Sequence, residues 1–154
     1  MIHNDGIHHI EVSNIEVRNM WNQLIPVDVL QPIWVARYAK FLAVILLYGA
    51  TVHISNIAGL TGTPWRETPL LWRGLDITLL MFDGVTAIAL WRGWAGAVWL
   101  LFGGMILLQF VPYTLLRSQF ILKPEDAQTL NGLLATEALL LGVFVLLLVL
   151  QVRE

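Results

Sequence analysis

Residues 130–152 read LNGLLATEALLLGVFVLLLVLQV, and this run decides the fold class. Glu137 is its only charged residue, and its length matches the roughly 20 mostly apolar residues that a helix needs to cross a bilayer. Backbone groups surrounded by lipid find no water to bind, so a spanning segment of this kind is helical. The sequence therefore predicts a membrane-spanning helix near its C-terminal end.

Three stretches upstream have the same character, at about 38–57, 70–91 and 94–116. Glycines and a proline interrupt the first connection, and Lys123-Pro124-Glu125-Asp126 interrupts the third. Thr68 precedes Pro69, which favours a helix start with a capping hydroxyl. We predict an all-α integral membrane protein, with a four-transmembrane-helix bundle over 38–154 that ends with the span at 130–152.

The composition excludes several classes of protein. Apolar residues make up 57% of the 154, charged residues make up 13%, and the mean hydropathy is +0.70. Soluble domains contain about 45–50% apolar and about 25% charged residues, so a water-soluble globule, a disordered chain and a nucleic-acid binder are all excluded. The chain has no cysteine, and it contains no metalloprotease, phosphate-loop, serine-hydrolase or dinucleotide motif. No catalytic residue, cofactor or metal site is predicted, and whether the protein is an enzyme stays open.

Residues 1–37 differ from the rest of the chain. Met1 to Gln23 is polar and lacks the charged start and apolar run of a signal peptide. The stretch from Leu24 to Ala36 mixes apolar residues with prolines, which favours a segment lying along the membrane interface. Aromatic and basic residues then predict anchoring at the headgroups: Trp34, Arg37, Tyr38 and Lys40.

The number of spans and the basic residues predict the orientation. Four crossings place both termini on one side. Basic residues near the membrane are slightly more frequent on that side, which favours cytoplasmic termini. We therefore predict a bacterial-type inner (plasma) membrane protein with cytoplasmic termini, and membrane lipid among its partners. The basic residues counted on the terminal side are Arg18, Arg37, Lys40, Arg92 and Arg153.

Polar side chains within the spans are the candidate functional residues, because charges in a bilayer are costly and normally face protein or water. Helical rise places most of them at a similar depth, in the leaflet opposite the termini. We predict that they line a pocket between the helices, with Trp65, Arg66 and Trp72 at its rim. The candidates are His53, Asn56, Arg73, Asp76, Asp83, Gln109, Tyr113 and Glu137.

The second helix carries the clearest polar stripe. Arg73, Asp76 and Asp83 lie on one face of this helix, and Arg73 is close enough along the helix to pair with Asp76. Asp83 has no basic residue one turn away on its own helix. We therefore expect either a partner on another helix or a proton on its carboxyl group.

The fourth helix has two distinct faces. A stripe of small residues, of the kind that lets helices approach closely, consists of Asn131, Ala135, Ala138 and Gly142. Glu137 lies about 100–160° around the helix from this stripe. We expect one face to pack inside the bundle and the other to meet a second copy or another membrane subunit.

Three functions fit these features. The sequence favours an accessory or assembly subunit of a membrane complex with a polar intramembrane pocket near one leaflet. The alternative is binding of, or acid–base chemistry on, an amphipathic small molecule such as a quinone or an isoprenoid lipid. A proton-coupled transporter is a third reading, because Asp83 lies near the middle of its span.

Overall fold

The computed structural model describes residues 30–61, 64–94, 96–121 and 123–151, and within these ranges it is helical with no strand. The long helices are α1 (Ile33–Ile57), α2 (Leu70–Trp91), α3 (Ala97–Leu115) and α5 (Pro124–Gln151), with the short α4 (Arg117–Phe120) before α5. All four are long and apolar enough to cross a membrane. The predicted four-helix architecture is thus present. Most of the polar N-terminal segment and Val152 lie outside the described residues.

The first helix begins earlier than the sequence predicted. It starts at Ile33 instead of about Tyr38, immediately after Pro32, whose φ of −58° and ψ of 135° are extended. No helix-breaking residue lies between these positions, so the helix continues back to the proline. Ile33 to Ala36, expected to lie along an interface, therefore form the first turn of α1. The earlier part of that expected segment, up to Val29, lies outside the described residues.

The last helix also begins earlier, at Pro124 instead of Leu130. The Lys123 backbone N–H donates to Asp126 Oδ2 at 2.7 Å, which is one half of a capping box. Proline suits the first helical position, and Glu125 and Asp126 complement the positive end of the helix dipole. The sequence Lys123-Pro124-Glu125-Asp126, expected to be a break between two spans, therefore forms the start of α5.

At the start of α2 the predicted hydroxyl cap is absent. Pro69 occupies the N-cap position, and Thr68 Oγ1 instead donates to the Pro64 carbonyl at 3.4 Å. Thr68 is the C-cap of a one-turn 3-10 helix, Trp65–Glu67, which directly precedes α2. The preceding helix α1 ends at Ile57, and Gly59, with a φ of +70°, forms the left-handed turn that follows many helices.

A tight turn joins α2 to α3. Gly93 has a φ of +66°, and its N–H donates to the Leu90 carbonyl at 3.2 Å. The Trp94 N–H donates to the Ala89 carbonyl at 2.9 Å, so the two bonds form a Schellman motif. The short connection from Trp91 to Ala97 therefore makes α2 and α3 a hairpin.

Helix α3 is not a regular α-helix. Ile106–Phe110 is a π-helical segment, and the Val111 N–H donates to the Ile106 carbonyl five residues earlier. Pro112, which has no N–H, follows directly, so the ordinary hydrogen-bond ladder cannot continue across this point. Such segments are rare and often lie at functional sites. Here the segment contains a buried glutamine, Gln109.

Two apolar clusters lie at different heights in the bundle. The larger cluster lies toward the end where α1 begins and contains residues from all four long helices. Phe144 in this cluster is fully buried. Tyr38 packs against this cluster, and its hydroxyl donates a hydrogen bond to the Leu140 carbonyl at 3.0 Å. The sequence predicts only a headgroup anchor at this position. The smaller cluster, at the other end, contains Tyr113, Phe120 and Leu130.

Candidate functional site: a buried carboxylate–imidazole cluster

His53 and Asp76 form the closest polar contact between α1 and α2. His53 Nδ1 lies 2.7 Å from Asp76 Oδ1, and the Asn56 amide nitrogen donates to the same oxygen at 3.0 Å. Because an amide nitrogen can only donate, Asp76 Oδ1 accepts the hydrogen bond from Asn56. Asp76 thus fixes the orientation of the His53 ring.

The other ring nitrogen of His53 faces a second carboxyl group. His53 Nε2 lies 3.8 Å from Asp83 Oδ2, which is an ion-pair distance but too long for a hydrogen bond. Asp83 is 4% exposed, and its Oδ1 atom has no partner among the described residues. Asp83 thus faces a histidine of another helix at ion-pair distance, and whether its carboxyl group is paired or protonated stays a prediction.

Glu137 and Gln109 bring α5 and α3 to the same cluster. With its amide nitrogen turned toward Glu137, Gln109 donates to Oε2 at 3.1 Å and also to Oε1. Both side chains are buried, and Glu137 lies near Asp83. Tyr113, one turn beyond Gln109, is also buried. Polar side chains from four helices therefore gather in one cluster, in which Asp83 lies about two turns deeper than Asp76.

Arg73 does not pair with Asp76, although the two are one turn apart. Asp76 binds His53 and Asn56 instead, and no ion pair to Arg73 exists within the described ranges. The Arg73 Nε atom is buried without a hydrogen-bond partner there. The spacing on α2 allowed this pair, but contacts across to α1 supply both partners of Asp76.

The expected rim residues differ in their surroundings. Trp72 packs edge-on against Phe120, with ring centroids 5.0 Å apart, and Phe120 meets Tyr113 in the same way at 5.1 Å. These three rings pack against one another near the end where α2 begins. Trp65 is half-buried and Arg66 is exposed on the adjoining turn. The side chain of His53, 18% exposed, links the cluster to the surface.

Two further buried residues, near Asp83 and Tyr113, were not among those predicted from the sequence. Thr86, fully buried one turn beyond Asp83, has no partner for its hydroxyl among the described side chains and backbone. Its spacing from Asp83 could have revealed it. Phe120 lies after the predicted end of the third span, where no apolar periodicity indicates a buried ring.

The small-residue stripe on α5 faces away from the bundle. Asn131, Ala135, Ala138 and Gly142 are all exposed, whereas Glu137 is 7% exposed. Within the spanning window of α5, 17% of the residues are buried, against 44% for α2. The outward face of α5 is therefore not covered by any other described part of the chain.

The cluster can bind and release protons, because it joins three carboxyl groups and one imidazole in a site largely shielded from water. The described residues contain no group of three metal-ligating side chains. A separate apolar groove lies toward the other end of the bundle, lined by Leu47, Ala87, Ile88, Trp91 and Arg92, and includes none of the cluster residues. In comparisons with known proteins, no protein family, no curated protein and no solved structure matches this chain.

Proposed function

We propose that the chain is an integral membrane protein whose four long helices span the bilayer, with both termini cytoplasmic in a plasma membrane of the bacterial type. Large apolar side chains exposed along the helices support this, since they would otherwise face water, Leu107 and Leu139 among them. The described basic residues at the end where α1 begins, Arg37, Lys40 and Arg92, have no acidic residue beside them, which favours the cytoplasm.

Extraction of membranes at alkaline pH tests insertion. The chain should stay with the lipid, and reporters fused to either terminus should be active only in the cytoplasm. Release of the chain into the supernatant contradicts insertion, and periplasmic reporter activity contradicts the orientation.

We further propose that the carboxylate–imidazole cluster binds the polar head of an amphipathic small molecule, such as a quinone or an isoprenoid lipid, beside His53. The observation that carries this proposal is the position of His53 between Asp76 and Asp83. Asp76 contacts Nδ1, whereas Nε2 lies 3.8 Å from Asp83, too far for a hydrogen bond, so Nε2 can still bind a ligand. His53 reaches the surface, whereas Asp83 and Glu137 are held deeper. A ligand entering from the membrane would therefore meet His53 first.

Binding of a short-chain ubiquinone analogue to the purified protein in detergent tests this proposal. Asp83→Asn and Glu137→Gln should weaken this binding by tenfold or more. Glu125→Gln is the matched control, because Glu125 lies on the same helix as Glu137 but is exposed. If the buried variants bind the probe as tightly as the control, the cluster does not have this role.

A proton-coupled transporter would use the same cluster. Proteoliposomes with an imposed pH gradient distinguish the two functions. Dissipation of the gradient that requires Asp83 favours transport, whereas an intact gradient together with ubiquinone binding favours a ligand site.

A second candidate function is an accessory subunit of a membrane complex, which the outward stripe of α5 favours. Ala138→Leu and Gly142→Leu should then break assembly while leaving the bundle folded. Leu139→Phe, at a neighbouring exposed position, is the control. Particles of gently solubilised protein with the mass of a bare monomer would contradict this function.

A further inference from the structure

The apolar groove on the outside of α1 and α2 lies far from the carboxylate–imidazole cluster. Its walls are Leu47 from α1 and Ala87 and Ile88 from α2, and Trp91 and Arg92 close it where α2 ends. Leu47 is 47% exposed and Ile88 is 50% exposed, so the groove opens outward. From Ala87 to Arg92 it follows α2 for about 7.5 Å.

Cationic and aromatic side chains surround the closed end of the groove. Lys40 Nζ lies 5.8 Å from the centroid of the Trp91 ring, and Arg92 Cζ lies 5.9 Å from that of Trp94. Both charges are on exposed residues that lack an acidic partner within the described ranges. This end of the groove is therefore positively charged, and indole rings sit at the depth of lipid headgroups.

The described charges are distributed unevenly between the two ends of the bundle. The end with the groove has three basic residues and no acidic one, namely Arg37, Lys40 and Arg92. At the other end, acidic residues neighbour some of the basic ones: Glu67 follows Arg66, and Glu125 and Asp126 follow Lys123. Among the described residues, the end with the groove therefore has the larger excess of positive charge, and there it lies beside an apolar surface.

We propose that this groove binds an anionic phospholipid, with the phosphate between Lys40 and Arg92 and an acyl chain along Leu47, Ala87 and Ile88. Basic pockets beside membrane helices on the cytoplasmic side bind acidic headgroups in this manner. The inference rests on the proposed membrane location, which alkaline extraction tests independently of lipid binding. It does not depend on any role of the carboxylate–imidazole cluster.

Native mass spectrometry of the delipidated full chain in non-ionic detergent tests the proposal. Phosphatidylglycerol and phosphatidylcholine with identical acyl chains are titrated separately. We expect stronger retention of phosphatidylglycerol, and the double variant Lys40→Gln/Arg92→Gln should weaken it by about fivefold for each charge removed. Ile88→Trp, which fills the groove and leaves every charge in place, should also weaken it.

The matched control is Arg66→Gln/Lys123→Gln, which removes two exposed charges from the other end and should leave retention unchanged. Circular dichroism of each variant confirms that the helices remain folded. Equal retention of the two lipids would overturn the proposal, because the groove would then take any acyl chain. An equal loss in the control would overturn it too, because net charge and not the groove would decide binding.

Discussion

The carboxyl group of Asp83 occupies the space that a side chain at Gly49 would need. A Cβ atom at position 49 would lie 2.6 Å from Asp83 Oδ2, closer than real contacts allow. Glycine in α1 therefore lets the buried acid of α2 lie directly against the neighbouring helix. The same carboxyl oxygen faces His53, so the glycine also sets the position of the acid within the cluster.

Gly49→Ala should displace Asp83 and destabilise the protein by about 1–3 kcal/mol, the usual cost of overpacking. Gly74→Ala is the control, because nothing lies within 4 Å of a Cβ atom there. Alanine at this helical position should be neutral or stabilise by up to about 1 kcal/mol. Melting temperatures in detergent measure both effects. Equal melting temperatures for the two variants would show that Asp83 does not require the glycine.

Adjacent glycines in α3 should respond in opposite ways to alanine. A Cβ atom at Gly104 would overlap the ring of Phe82, which is buried, whereas a Cβ atom at Gly103 meets nothing within 4 Å. Gly104→Ala should therefore cost about 1–3 kcal/mol or prevent folding, and Gly103→Ala should be tolerated. Thermal unfolding in detergent and the yield of folded protein measure the difference. A tolerated Gly104→Ala would contradict the packing of α2 against α3.

The contact between His53 and Asp76 should appear as energetic coupling. A double-mutant cycle with His53→Ala and Asp76→Ala should give about 1.5–3 kcal/mol, the usual range for a hydrogen bond to a charged group. The same cycle between His53 and Glu125 should give less than about 0.5 kcal/mol, because no contact joins these residues. Unfolding free energies in mixed micelles provide the numbers. Coupling that is no larger for Asp76 than for Glu125 would contradict the geometry.

Tyr38 should contribute to stability through its hydroxyl group. Tyr38→Phe removes the hydrogen bond to the Leu140 carbonyl, which ties α1 to α5, and should cost about 1 kcal/mol. Tyr48→Phe is the control, because Tyr48 is 70% exposed on the same helix. The readout is the difference in melting temperature between the two variants in one detergent. A smaller effect at Tyr38 than at Tyr48 would contradict the contact.

Much of the architecture could be predicted from the sequence, because a spanning segment needs only length and apolar composition. The bounds of α2 agree with the prediction, since a proline and a glycine turn delimit it. Helices α1 and α5 begin before the spans that the sequence predicts. The prediction counted only apolar residues, and it therefore missed the first turns of both helices. Local backbone chemistry, as at Pro124 and Asp126, sets those starts.

The candidate cluster shows a similar division. An ionisable side chain within a membrane span is energetically costly whatever its orientation. The sequence alone could therefore identify His53, Asp83 and Glu137 as unusual. It could not assign their partners, because Asp76 has Arg73 within reach on its own helix and still binds His53 and Asn56 on another.

The sequence by itself determined four apolar helices, the turns between them and a set of costly polar side chains, because these follow from composition and short-range backbone preferences. The tertiary structure decided which of those side chains meet. It set Asp83 against Gly49, placed Gln109 beside Glu137 and packed Trp72 against Phe120. The physical reason is that contacts between helices depend on rotation and register, and both are fixed only when all the helices pack together.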